Sequence, residues 1–297
     1  MQENKVPVQV IRLSVIAVVI IAIIVFKTIT SNIVEAKVDK LLEATPKGVI
    51  TYESASMDII GLEVCINDVT IKAANGKSIK IDEIVINDID TDNDIPQYMD
   101  IEINDIEGDL ETLKLDRNSA KLIDMLELKE LVSDIAFKYS FDKEENILEI
   151  DDVSFKVEDL GKLAFEVELH GVQSLSGLGM QMMMAPQNLK IASASIEYDN
   201  YADKELISAM VAVSNGLSYD ESKAKSLQKL SRTIEELKDE DDDIASELAE
   251  MIHDFYEDPK SFEISISPEN AVSIRKITGT QSAKEAKELL NFKVEVN

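Results

Sequence analysis

The sequence predicts an α+β protein. An N-terminal transmembrane helix leads into a curved antiparallel β-sheet, groove or taco-like, and then into a helical segment that returns to short strands. Three observations predict this. Leu13 to Phe26, LSVIAVVIIAIIVF, is an unbroken apolar run. From Gly48 to Tyr198, aliphatic and polar residues alternate through about eight stretches, the period of a half-buried strand. From Ala202 the apolar spacing becomes three and four, the period of a helix with one buried face.

Taken from Val8 to Ile29, the apolar run reaches roughly 20 residues, the length that crosses a bilayer. Arg12 is long enough to snorkel toward head groups. A cleaved signal peptide fits the same run, but no small-x-small site follows closely and Ala36 is too far downstream. The expectation is an uncleaved signal anchor. Lys5 and Arg12 precede it, and Lys27, Lys37, Lys40 and Lys47 follow it among Glu35, Asp39 and Glu43. Lys and Arg counts alone therefore do not set the orientation. The short leading tail favours a cytoplasmic N-terminus. The expected location is a bacterial inner membrane, crossed once, with the main domain in the periplasm. The expected segments are 1–29 (tail and anchor), 30–47 (stalk helix), 48–198 (curved β domain) and 199–297 (helices and short strands packing on the sheet).

The chain has 297 residues and a formal charge of −28, from 58 acidic and 30 basic residues. That balance argues against nucleic acid, whose binding needs clustered Lys and Arg. Hydrophobic residues make up 45%, yet Trp is absent, so the core is built from aliphatics and Met. Cys65 sits on an alternating strand pattern and is expected as a small core hydrophobe; one cysteine cannot form an internal disulfide.

Within the β region, strands are expected at Gly48–Ser56, Leu62–Lys72, Ser78–Asp90, Tyr98–Glu107, Leu128–Asp142, Asn146–Glu158, Leu163–Val172 and Leu189–Tyr198, with a short helix over Asp116–Glu127. Asn75-Gly76 supplies the positive φ angles of a tight hairpin turn. Helices follow at Ala202–Ser214, Ser218–Leu237 and Ile244–Tyr256, the last two separated by the acidic loop KDEDDD. A strand at Ser261–Ser267, a helix at Ser282–Leu290 and a strand at Phe292–Val296 complete the order.

A small unit recurs: Ile66-Asn-Asp-Val69, Ile81-Asp-Glu-Ile84, Ile86-Asn-Asp-Ile89, Ile103-Asn-Asp-Ile106 and Ile150-Asp-Asp-Val153. Aliphatics three apart would fall on opposite faces of a regular strand. An extra residue returns them to one face, so each unit predicts a bulge or bend. A calcium reading fails the EF-hand pattern. In the loop that starts at Asp88, the sixth position is Asn93 rather than Gly and the twelfth is Met99 rather than Glu. A looser cation site at Asp90, Asp92 and Asp94 stays open beside the simpler reading, a solvated acidic turn.

The candidate ligand-contact residues are Met180, Met182, Met183 and Met184. Three readings stand: filling of a core gap, an adaptable apolar lip, or thioether ligands for Cu(I). His170 and His253 have no motif partner. No phosphate loop, nucleophile elbow or metal-ligand spacing appears, so neither catalysis, nor a metal, nor a cofactor is expected.

An N-terminal anchor followed by VCINDVTIKAANGKSIKIDEIVINDID resembles the AsmA-like bacterial envelope proteins, over about Val8 to Val172. The stretches IASASIEYDNYADKELISAMVA and SFEISISPENAVSI look like the C-terminal part of uncharacterised envelope proteins. The resemblance implies a periplasmic sheet with an apolar concave lining and a part in phospholipid transport or outer-membrane maintenance. It carries no functional residue. The expected function is therefore binding or conduction of lipid or another apolar ligand. The alternatives are an adaptor that binds envelope proteins without a ligand, and an acidic calcium-binding surface protein.

Overall fold

The computed structural model describes residues 50–57, 63–72, 78–90, 92–93, 95–108, 117–128, 130–184, 186–239 and 243–296. Among them are twelve strands and seven α-helices, and every described strand pairing is antiparallel. They fall into two compact units. One holds the described residues up to 117 together with 130–138; the other holds 118–128 and 139–296.

The first unit is built on β1 (Ile50–Thr51), β2 (Ser54–Met57), β3 (Val64–Lys72), β4 (Ser78–Ile89) and β5 (Tyr98–Gly108). The first eight residues of β6 (Leu131–Asp142) also belong to it. β3 pairs with β1 and β2 on one side and with β4 on the other, and β4 pairs with β5. Val64, Ile66, Val69, Ile71, Ile81, Ile84, Ile86, Ile89, Met99, Ile101 and Ile103 are all buried. All but Met99 are β-branched, and such side chains suit the pleated surface of a sheet.

The recurring unit is where these strands depart from regularity, as its three-residue step predicts. Asp68 and Asp105 take left-handed backbone conformations, φ 55° and 53°. Asp is among the few non-glycine residues that tolerate this region. The ladders pass over both. Asn67 pairs with Glu83 and Val69 with Ile81; Ile81 pairs with Ile106 and Glu83 with Asn104. In Ile86-Asn-Asp-Ile89 the register shifts between Ile86 and Asp88, and in Ile150-Asp-Asp-Val153 it shifts across the acidic pair. The result is the expected one: Ile66 and Val69, and likewise Ile81 and Ile84, are buried together.

The second unit holds β7 (Ile147–Val157), β8 (Gly161–His170), β9 (Lys190–Asn200), β10 (Ser261–Ile266), β11 (Val272–Ser273) and β12 (Lys293–Val296). The strand order is β7-β8-β9-β10-β12, with β11 paired to β9. Its helices are α1 (Arg117–Leu126, all but its first residue), α2 (Leu178–Met184), α3 (Leu206–Asn215), α4 (Tyr219–Asp239), α5 (Asp243–Glu257), α6 (Ile274–Thr278) and α7 (Ala283–Leu290). Two cores hold it. Phe141, Leu148, Val172 and Leu189 form one. Tyr198, Phe255 and Tyr256 form the other, backed by Phe262, Leu227 and Leu230. Tyr198 of β9, Phe255 of α5 and Phe262 of β10 lie with ring centroids 5.2–5.7 Å apart, two of the three pairs edge to face. That arrangement suits the ring quadrupoles.

Several expectations are corrected. The expected transmembrane helix, signal anchor and single-pass inner-membrane location with a periplasmic domain are not supported: among the described residues no helix is long and apolar enough to cross a membrane. The longest, α4, has 21 residues but carries charge from Asp220 to Asp239, and charged side chains are costly in hydrocarbon. The segment 8–29 read as the span lies outside the described residues, as do the 30–47 stalk and the Asn75-Gly76 turn. The fold is an antiparallel sheet with helices, and its C-terminal strands extend the sheet: β10 pairs along β9, and β12 along β10. An edge of β9 presents unpaired backbone groups, and β10 satisfies them. Cys65 alternates with the buried Val64 and Ile66, and is half-buried rather than a core residue.

Candidate functional site

Helices α3, α4 and α5 enclose a cleft of about 640 Å³, within the range typical of small-molecule sites. Each wall follows from local sequence. The helix α3 begins at Glu205, whose side chain caps it. Oε2 accepts the Ser208 N–H at 2.8 Å and Oε1 accepts the Ile207 N–H. It ends at Gly216, left-handed at φ 65°, which returns its N–H to Ala212 and Val213 carbonyls. The start of α4 is a capping box, Ser218-Tyr-Asp-Glu221. The Glu221 N–H donates to Ser218 Oγ, and Glu221 Oε2 accepts the Ser218 N–H at 3.2 Å. Lys238 of α4 pairs with Glu250 of α5 at 2.6 Å. Lys287 of α7 pairs with Glu247 of α5 at 2.8 Å.

The cleft's lining mixes apolar residues, Val211, Leu217, Leu230 and Ile252, with polar ones, Asn215, Ser222, Ser226 and Thr233. Lys225 and Lys229 also line it. Ser222 is 1% exposed and its hydroxyl has no hydrogen-bond partner. Leaving a buried hydroxyl unpaired costs stability.

Polar groups tie the three helices together. Glu205 is 1% exposed. Its backbone N–H donates to the Tyr219 hydroxyl oxygen at 3.1 Å. Tyr256, a cleft residue, is hydrogen-bonded with Ser208 and Ser226. Burial pushes the phenols of Tyr219 and Tyr256 above their ordinary value, and the Glu205 carboxylate adds to both shifts. Tyr198 is pushed up to about 12, by burial first and by Glu205 second. All three phenols therefore keep their protons at physiological pH; Tyr219 and Tyr256 are hydrogen-bonded, whereas the buried Tyr198 hydroxyl has no hydrogen-bond partner.

The four methionines read from the sequence stand elsewhere in the second unit. Leu178 of α2 packs against the Phe141 core, and Gln181 is buried. Gln181 Nε2 donates to the Gly171 carbonyl at 2.7 Å, and its Oε1 accepts the Gln173 N–H at 3.1 Å. With that face docked, Met180 (68% exposed), Met182 (52%), Met183 (86%) and Met184 (76%) point to solvent. Of the three readings, core filling is overturned, and none of the four lines the cleft.

The acidic turn read as a loose cation site is held by its own backbone. Asp90 is buried, its Oδ1 accepts the N–H of Asp92 and Asn93, and its Oδ2 accepts Asn93 Nδ2 and the Gln97 N–H. Asp94 lies outside the described residues. His170 ends β8, with Nε2 2.6 Å from Glu168. His253, Asp254 and Glu257 of α5 bring ligand atoms within 4.8 Å of one another, but both acids are solvated at the surface.

The sequence reading passed over the cleft entirely. One signal was available. Ser222 to Ile234 contains Lys223, Lys225, Lys229 and Arg232 and not one acid, inside a chain of charge −28.

A family model described as an uncharacterized protein matches residues 154–297, a span that contains every residue of the cleft. No curated protein matches the chain.

Proposed function

We propose that the chain is a binding protein whose cleft between α3, α4 and α5 takes a small apolar ligand. The observation that carries this reading is the Ser222 hydroxyl, buried and unpartnered in a cleft lined by Val211, Leu217, Leu230 and Ile252. Most buried hydroxyls have a partner, and Ser222, unlike the equally unpartnered Tyr198 of the aromatic core, lines a cleft. A ligand atom facing Ser222 would supply the missing partner, and the apolar wall would supply most of the binding free energy. The reading keeps the apolar ligand expected from the sequence and moves it from the methionines and the sheet to the helices.

The test is titration of the 297-residue chain with a fluorescent long-chain fatty acid, followed by competition with unlabelled chain. Saturable uptake is expected. Val211→Glu and Ile252→Glu, which place a charge in the apolar lining away from the aromatic core, are expected to abolish it without unfolding the protein. Absence of uptake, or uptake unchanged in both variants, overturns the reading.

A further inference from the structure

Resting on that reading of the cleft, we infer that its ligand is an amphiphile with an anionic head group, gripped by Lys225, Lys229 and Arg232. Three observations converge. First, α4 carries a local excess of four positive charges over Ser222–Ile234, where the chain as a whole has almost two acids for each base. Like charges at i and i+4, such as Lys225 and Lys229, weaken a helix, although Glu221 four before Lys225 and Glu236 four after Arg232 offset part of this.

Second, Lys225, Lys229 and Arg232 sit at i, i+4 and i+7, one face of α4. They line a further hollow of about 320 Å³, which shares Lys225, Lys229 and Thr233 with the apolar cleft. A tail in the cleft and a head group in the hollow would thus belong to one molecule. Glu236, one turn beyond Arg232, is the acid that lines the hollow.

Third, two of these cations, Lys229 and Arg232, are uncommitted in a protein rich in carboxylates. Lys138, Lys204, Lys238, Lys260 and Lys287 each have a carboxylate within 3.2 Å. Among the described residues Lys229 and Arg232 have no ion pair. Lys225 acts on Glu221 only through its field, helping to hold that carboxyl low after the Ser218 hydrogen bonds have done most of it. A guanidinium offers a planar fork for carboxylate or phosphate, and two ammonium groups close the charge. Thr233, which lines both hollows, completes the set with a hydroxyl where they meet.

The experiment compares matched probes on the 297-residue chain by calorimetry: a long-chain fatty acid, the alkyl phosphate and the alcohol of the same chain length, and inorganic phosphate alone. The expected result is that the acid or the alkyl phosphate binds at least about tenfold tighter than the alcohol. The variant Lys225→Gln/Lys229→Gln/Arg232→Gln, with its melting temperature as the folding control, is expected to erase that difference, so that the acid, the alkyl phosphate and the alcohol bind it alike. An alcohol that binds as tightly as the acid and the phosphate overturns the anionic head group and leaves the apolar cleft standing. Inorganic phosphate binding as tightly as the alkyl phosphate makes a free anion the occupant and overturns the amphiphile. No binding by any probe removes the cleft reading and this inference together.

Discussion

The backbone N–H of Glu205 donates to the hydroxyl oxygen of Tyr219 at 3.1 Å, tying the cap of α3 to the first residue of α4. The same Glu205 caps α3 with its side chain. One residue therefore fixes two walls of the cleft.

Glu205→Ala removes an acceptor from the Ser208 N–H and the Ile207 N–H at a buried helix start. A loss of about 2 kcal/mol is expected in urea denaturation. Glu205→Gln keeps one amide oxygen and is expected to lose less. Equal losses in the two variants would show that the cap is not what holds α3.

The phenol of Tyr198 ionises near 12 in the fold against an ordinary 10.0. Below pH 10 the folded and unfolded chains both keep the proton, and the contribution to stability is fully present. Between 10 and 12 the unfolded chain gives up its proton first, so stability falls as pH rises through that window. Denaturation at stepped alkaline pH, with tyrosinate absorbance as a second signal, checks this. Tyr198→Phe is expected to flatten the decline.

Asp90 behaves oppositely. Burial pushes its carboxyl up, but the N–H groups of Gln97, Asp92 and Asn93 and the Asn93 amide outweigh it and hold the carboxyl below its ordinary 3.8. Its contribution is complete above that value and is lost as pH falls through the lower, folded one. Asp90→Asn is expected to destabilise the protein at neutral pH and to soften its acid unfolding. A calcium-dependent rise in melting temperature that Asp90→Asn abolishes would contradict the turn described here.

Mild peroxide is expected to convert Met180, Met182, Met183 and Met184 to sulfoxides ahead of the buried Met99 and Met251. Peptide mapping by mass spectrometry reads the order. Oxidation of Met99 at the rate of Met183 would mean that the β5 core is open.

Much of the fold was legible because its signals are local. Alternating Ile and Val in β3, β4 and β5, the three-and-four apolar spacing of α4 and α5, and the three-residue steps around the acidic pairs each act within a few positions. What escaped was long-range. The pairing of β10 onto β9 joins residues 62 to 72 positions apart, that of β12 onto β10 joins residues 28 to 34 apart, and no periodicity announces either. The cleft escaped for the same reason, since Ser222 and Ile252 become neighbours only when α4 and α5 pack. The basic run of α4 was visible, but a run of charge reads as solvated surface until a hollow is found beneath it.

The left-handed residues Asp68 and Asp105 have a further consequence. Strands as repetitive as β3, β4 and β5 invite misalignment, because a slip of two residues returns every aliphatic to its own face. The interruptions in β3 and β5 both meet β4 opposite Asp82, between the pairs that Ile81 and Glu83 make. If β3 slips by two and its interruption moves along the strand, β-branched Ile66 or Thr70 must adopt a positive φ, which such residues resist. If the interruption stays, the two breaks strike β4 at different points and strip two sets of backbone partners instead of one. The acidic pairs thus serve as alignment marks: they reject the near-miss pairings that alternation alone would accept, and with them a route by which exposed, mismatched edges recruit other chains.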